Sequence, residues 1–187
     1  KNYVLATGGK SRPETGSTGD GFTWMKELGH TVVQPDPALV PVTLSEPWVE
    51  KLSGISLTGV KLTVMSLGKK EEARTGKMLF THVGISGPLV LNMSKNIGEL
   101  LKHGEVTLGL DLFPAMDLGA LDQHLLSIFE RGKNKMIKNH IGDITQPRLA
   151  QVILSLAKID GDTPLQQLTR DQRLAFARML KNIPMKV

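Results

Sequence analysis

The hydrophobic pattern changes period along the chain. Tyr3-Val4-Leu5-Ala6 is a short apolar run that predicts a strand, followed by a glycine-rich stretch and an amphipathic run from Phe22 to Leu28. Asp20 is placed to cap a helix from about Gly21 to Leu28, and Gly29 to stop it. Pro35, Pro37 and Pro41 then exclude a helix and predict a stiff, extended linker, with a domain boundary near Val42. From Val42 to Phe113 the signals are mostly β. Val60, Leu62 and Val64 alternate onto one side of a strand or hairpin over 57–67, and Gly68 to Glu72 reads as a charged, solvated turn. Lys77 to His82 predicts another strand, Gly84 to Pro88 a tight loop, and Val106 to Phe113 a strand broken by Asp111 and ended by Pro114.

Within the β-rich stretch, helical periodicity appears between Pro88, which suits a first helical turn, and about Leu101. It takes over after Asp117. Asp117 caps a predicted helix from Leu118 to Arg131, with Leu121, Leu125, Ile128 and Phe129 inward and Gly132 at its end. A second predicted helix covers 146–158. Thr169-Arg170-Asp171-Gln172 has the capping-box spacing that opens a third. The expected fold class is α+β: a short Rossmann-type strand–loop–helix over 1–41, a small β-barrel-like body over 42–116, and a helical subdomain over 117–187.

At 187 residues the chain is long enough to bury a substantial core. It lacks an apolar run of membrane-spanning length, and the absence of cysteine excludes disulfides and thiolate-ligated metals. His30, His103, His124 and His140 have no metal-ligand spacing, so no metal is expected. A net charge of +5 points to anionic partners, while 4% aromatic residues is thin for an extended base-stacking surface. A strand as close to residue 1 as Tyr3–Ala6 lacks the neighbours that a parallel strand needs, so residue 1 is expected to be a boundary of excision and not a natural beginning.

Three segments could carry chemistry. Gly16, Gly19 and Gly21 form G-x-x-G-x-G before a helix. Such a loop can bring its backbone close to a phosphate, with the helix N-terminus behind it. The spacing is neither a dinucleotide fingerprint nor a Walker loop, so a polar β–α turn is the alternative, with Asp20 either capping or meeting a ribose hydroxyl. Gly84-Ile85-Ser86-Gly87-Pro88 also leads into a helix and offers either backbone N–H groups to an oxygen or turn geometry alone. His82 beside it is a candidate acid or base, or a structural hydrogen-bonder. Arg131-Gly132-Lys133-Asn134-Lys135-Met136-Ile137-Lys138 holds four cations and no acid. It reads as a solvated helix end or as a phosphate-backbone patch.

Together, Ala6 to Ser11, Pro13, Thr15 to Gly21, Leu28-Gly29-His30, Pro37 to Pro41 and the block Thr75 to Pro88 resemble the middle of the bacterial aminoacetone-oxidase-type, or BaiN-type, NAD(P)/FAD-dependent oxidoreductases. The resemblance extends over essentially the whole chain. The family's N-terminal ADP-binding βαβ unit and its C-terminal FAD-completing segment have no counterpart here. The resemblance implies an insert domain flanked by one edge of an FAD domain. Thr7, Gly8, Gly9, Gly16, Thr18, Gly19, Asp20 and Gly21 would then lie by FAD, and Thr81, His82, Gly84, Ser86 and Gly87 would face flavin or substrate. It implies a cytoplasmic parent protein exchanging hydride between FAD and a nicotinamide cofactor, NAD(P)H, or an organic substrate. The missing parts of the FAD domain would be its partners. Alone, the chain is expected neither to hold FAD tightly nor to turn over. Flavoenzymes of this type include one that reduces uracil in ribosomal RNA, so Arg131, Lys133, Lys135 and Lys138 are candidate RNA contacts. A purely structural domain is the remaining alternative.

Overall fold

The computed structural model describes residues 2–132 and 135–187. The chain divides into two compact units, Lys1–Asp36 and Pro37–Val187.

In the first unit the expected strand at Tyr3–Ala6 does not form, and Tyr3 and Val4 are 88% and 91% exposed. A strand needs a hydrogen-bonding neighbour, and no described segment of this unit is a strand. The Rossmann-type strand–loop–helix therefore reduces to loop and helix. A single 3₁₀ turn at Pro13–Thr15 ends at Gly16, whose N–H donates to the Pro13 carbonyl at a φ of 98°. Helix α1 (Asp20–Glu27) follows. Asp20 is not its cap: Gly19 holds that position with a φ of 85° and Asp20 is the first helical residue. Its carboxylate there complements the positive end of the helix dipole. Gly29, at a φ of 84°, closes the helix through its N–H on the Lys26 carbonyl, as its sequence position predicts.

The second unit contains strands β1 (Val42–Thr43), β2 (Ser56–Ser66), β3 (Lys69–Phe80) and β4 (Gly84–Ser86), helix α2 (Pro88–Leu101) and strand β5 (Val106–Asp111). Helices α3 (Leu118–Arg131), α4 (Pro147–Leu156) and α5 (Arg170–Lys181) follow, and then strand β6 (Ile183–Lys186). Among the described residues the strands form one antiparallel sheet in the order β1-β4-β3-β2-β5-β6. Its ends approach each other: the Ser45 N–H donates to the Lys186 carbonyl at 2.9 Å, and the Lys186 N–H to Glu46 Oε1 at 2.7 Å. The sheet curls into a half-barrel, in line with the barrel-like body expected from the sequence. Val60, Leu62 and Val64 all point inward, and strands and helices contribute to one apolar cluster. No described helix is long and apolar enough to cross a membrane.

Several local expectations change. The charged turn at 68–72 is a two-residue turn, Leu67–Gly68, with φ of 49° and 76°, and Lys69 already belongs to β3. That strand runs through 69–80, so the separate strand expected at 77–82 is its last four residues, with Thr81 and His82 in the turn that follows. The loop expected at Gly84–Pro88 begins as β4, paired with β1 and β3. The strand expected to reach Phe113 ends at Asp111, and the helix expected over 146–158 spans Pro147–Leu156. Strand β6 has no counterpart in the sequence reading. It brings the chain back from the helices onto β5, so β and α are not simply consecutive.

The helix ends follow the sequence closely. Asp117 accepts from the Ala120 N–H at 2.7 Å, and Thr169 and Gln172 form the reciprocal capping box. Asp122 on α3 and Arg173 on α5 tie the two helices by a two-point contact, Nε to Oδ1 at 2.6 Å and Nη2 to Oδ2 at 3.3 Å. The hydrogen bond from Arg173 is the largest influence on Asp122 and holds its carboxyl below its ordinary value of 3.8, against the opposing effect of burial. A carboxyl lowered on folding stabilises above its unfolded pKa and loses that contribution as pH falls through the folded one. At neutral pH, Asp122→Asn is expected to cost about 1–2 kcal/mol. Thermal melts from pH 7 down to pH 3 should show the gap between wild type and variant closing below about pH 4. A gap that stays constant to pH 3 contradicts the coupling.

Candidate functional site

The predicted cofactor residues fall in the first unit and only part of the set comes together. Gly21 is buried in the first turn of α1, and the Thr7 hydroxyl lies where a Gly21 side chain would project. The Lys10 side chain covers Gly19, within 3.2–3.3 Å of the position a Cβ would take. Residues 7–10 thus fold back over the helix start. Around it lies a small polar recess of about 140 Å³, lined by Lys10, Thr18, Gly19, Asp20, Thr23 and Lys26 among others. Gly8, Gly9 and Gly16 do not line it. A Cβ at any of them would meet nothing within 4 Å, and Gly8 and Gly16 are glycine for their φ of 74° and 98°. The sequence reading missed Lys10 and Lys26. The available signal was Lys26 lying on the helix that leads out of the glycine loop. With two cations and one acid the recess suits a polar, anionic group, and its volume takes only part of a dinucleotide.

The second block lies in the other unit, where β3, β4 and β1 meet. Thr81 follows β3, and its N–H donates to the Gly84 carbonyl at 2.8 Å, closing a tight turn that leaves His82 and Val83 exposed. Among the described residues His82 has no hydrogen-bond or ion-pair partner. Gly84 is glycine because the β1 backbone at Val42 and Thr43 occupies the space a Cβ would need. Gly87 has a φ of 96° and faces the β3 backbone, with Met78 Cα 3.0 Å from its would-be Cβ. These two glycines therefore answer to close strand packing. Ser86 is half-buried and pairs with Leu79. The Thr81 hydroxyl oxygen is buried without a hydrogen-bond partner among the described residues, which is uncommon in folded proteins.

The basic segment is less uniform than its sequence. Arg131 closes α3, with Nε donating to the Ser127 carbonyl at 3.2 Å. Lys138 pairs with Asp162 at 2.5 Å. Ile137 between them is fully buried, and Lys133 lies outside the described residues.

Sequence comparisons place this geometry among known proteins. The chain is 32% identical over 180 residues to a ribosomal RNA dihydrouridine synthase of Escherichia coli, covering 96% of this chain and 42% of that protein. It is 28% identical over 167 residues to a 3-dehydro-bile acid delta(4,6)-reductase of Clostridium scindens, covering 88% of this chain and 40% of the reductase. A ribosomal RNA dihydrouridine synthase of Haemophilus influenzae is 42% identical over 96 residues, half of this chain and 23% of that protein. The chain thus spans less than half the length of the curated relatives it matches. The order α3, two 3₁₀ turns at Ile137–Asn139 and Ile141–Asp143, and α4 makes a helix–two-turn–helix beside the half-barrel. With residues 36–187 matching its model, the chain belongs to the HI0933-like protein barrel and H2TH domain family.

Proposed function

We propose that this chain is the substrate-side domain of a flavin-dependent reductase, joined through residues 35–41 to a glycine-loop segment that borders the cofactor. The unpartnered, buried Thr81 hydroxyl carries this reading, since it offers hydrogen-bonding capacity that no described residue uses. It sits at the turn bearing His82, in the block whose sequence resembles flavoproteins. The glycine loop also fits a cofactor edge. Its backbone is open at Gly8 and Gly9, and the neighbouring recess is polar and holds Lys10 and Lys26. FAD, when bound in the complete protein, supplies the hydride. The residues Thr7 to Gly9 and Gly16 to Gly21 would lie along it, and Thr81, His82 and Ser86 would face the substrate.

The names of the relatives suggest a substrate class. Converting uridine to dihydrouridine, and reducing a delta(4,6) 3-oxo steroid, both saturate a C=C bond conjugated to a carbonyl. In such a reaction the hydride adds to the carbon remote from the carbonyl, and a proton adds to the carbon beside it. A flat, conjugated carbonyl compound is therefore the substrate class we assign. In that block we assign the exposed imidazole of His82 to delivering the proton, with the buried Thr81 hydroxyl beside it on the same turn.

The test is spectroscopic. The protein carrying this domain together with its flanking chain is expected to purify yellow, with bound flavin bleached by a nicotinamide donor. A colourless, flavin-free preparation overturns the assignment. The 187-residue chain alone is expected to leave flavin fluorescence unchanged on titration, and micromolar FAD binding would show that the first unit is more than one wall of the site.

A further inference from the structure

A second recess, away from the Thr81 turn in sequence, lies between the segment after β1 and the length of α4. It has a volume of about 270 Å³ and is lined by Trp48, Lys51, Arg148, Gln151 and Ser155, together with the apolar Val152 and Leu156. None of its lining residues is acidic. Arg148, Gln151 and Ser155 recur at helical spacing, so α4 presents one polar row to the groove.

The arrangement of Arg148 is distinctive. Its Nη1 donates to the backbone carbonyls of Lys51 and Ser53, at 3.2 and 3.3 Å. The guanidinium is thereby held in place by neutral acceptors, and no carboxylate among the described residues pairs with its charge. Arg12, Arg74 and Arg173, by contrast, each face a carboxylate. Lys51, whose carbonyl anchors Arg148, is exposed and has no ion-pair partner among the described residues. The N-terminal end of α4 adds its partial positive charge, since Arg148 is that helix's second residue. Trp48 supplies an aromatic surface. Its ring packs edge-on against the buried Phe80, with centroids 6.4 Å apart and planes at 64°, which fixes the indole while leaving it half-exposed.

We propose that this groove is a contact site for single-stranded RNA, with a base against Trp48 and the adjoining phosphate between Lys51 and Arg148. A fixed aromatic ring beside uncompensated cations is the combination that single strands require, because every base has a stacking face and every nucleotide a charge. An RNA strand is the favoured source of that chemistry because two of the relatives are named for ribosomal RNA. The basic segment at 131–138 is a weaker candidate, since Lys138 is already paired with Asp162. The groove does not rest on the flavin reading: it should bind RNA without flavin, and its failure would leave the flavin test untouched.

The experiment measures fluorescence anisotropy of a labelled oligouridylate of about ten nucleotides against the 187-residue chain at two salt concentrations. Binding at low salt should fall steeply as salt rises. Arg148→Gln and Trp48→Leu are each expected to weaken it about tenfold, and Lys51→Gln to lower the salt slope by about 0.7. Lys51 is exposed, so its variant remains informative even where Arg148→Gln or Trp48→Leu perturbs folding. Three results would overturn the proposal: no binding at low salt, full binding by Lys51→Gln with an unchanged salt slope, or loss only on replacing Arg131 and Lys135. Efficient displacement of the oligomer by micromolar NADPH would assign the groove to a free nucleotide and equally overturn it.

Discussion

Replacing Lys181 by Met is expected to lower the stability of the chain by about 3–5 kcal/mol, on the order of 10 °C in Tm for a protein of this size. Lys181 closes α5, and its ammonium donates to Asp111 Oδ2 at 2.7 Å, to the Phe113 carbonyl at 2.7 Å and to the Met116 carbonyl at 2.6 Å. Three donors meet three acceptors, so the charge is fully hydrogen-bonded although its side chain is only 20% exposed. Asp111 is more deeply buried. Its second oxygen accepts from the Phe113 N–H at 2.9 Å, which turns the chain out of β5. Without Lys181 the carboxylate keeps the Phe113 N–H and, as a cation, Lys61 at 3.5 Å, while the Met116 carbonyl loses the ammonium and the Phe113 carbonyl keeps the Met116 N–H at 3.1 Å. Buried ion pairs are strongly destabilising when one partner is removed, because the other charge stays behind. Asp111→Asn combined with Lys181→Met should therefore cost less than the sum of the two single changes. Melts of the two singles and the double settle it, and additive losses, or a loss below 1 kcal/mol for Lys181→Met, would contradict this account.

Gly84→Ala should cost about 3 kcal/mol, at the upper end of overpacking effects. A methyl group at Gly84 would take the place of the Val42 carbonyl oxygen and stand 2.9 Å from Thr43 Cα. The clash is with backbone, which cannot rotate away, so β1 would have to leave β4. Gly98, within α2, is the internal control. A Cβ there meets nothing within 4 Å, and Gly98→Ala should stabilise by about 0.5–1 kcal/mol. Opposite shifts in Tm for the two variants are the expected result. A neutral Gly84→Ala would show that β1 docks too loosely to define the turn at Thr81.

Much of the fold is legible in local sequence. Helix α3 runs from Leu118 to Arg131 as expected, because Asp117 supplies a cap and Gly132 a stop, and Thr169 with Gln172 opens α5. Alternation at Val60, Leu62 and Val64 gives the buried face of β2. Where local signals conflict with long-range packing, the packing prevails. Gly84-Ile85-Ser86 has loop composition yet forms β4, since its glycine is needed for β1 to approach. Leu67 is an unexpected turn residue at a φ of 49°, but the sharp reversal between β2 and β3 leaves it no alternative. Ile183-Pro184-Met185-Lys186 is too short, and carries a proline too close to its middle, to announce a strand. It becomes β6 because β5 presents an unpaired edge.

The candidate site divides in the same way. Sequence marks the glycine loop and the block from Thr81 to Gly87 through residue types that reflect backbone geometry and family resemblance. It does not mark the Trp48–Arg148 groove, whose members lie 100 positions apart and meet only when α4 packs beside the segment after β1. By itself, then, the sequence determined the helices, their caps, the inward face of the longest strands and the membership of a flavoprotein-like family. Only the tertiary structure decided that the sheet curls until Ser45 meets Lys186, that Asp111 and Lys181 form one buried pair, and that an aromatic ring and two cations share a groove. Caps and alternation act within a few residues and are written in the local pattern. Edge closure, buried charge pairing and grooves depend on segments far apart in the chain, which only the packing of the whole unit brings together.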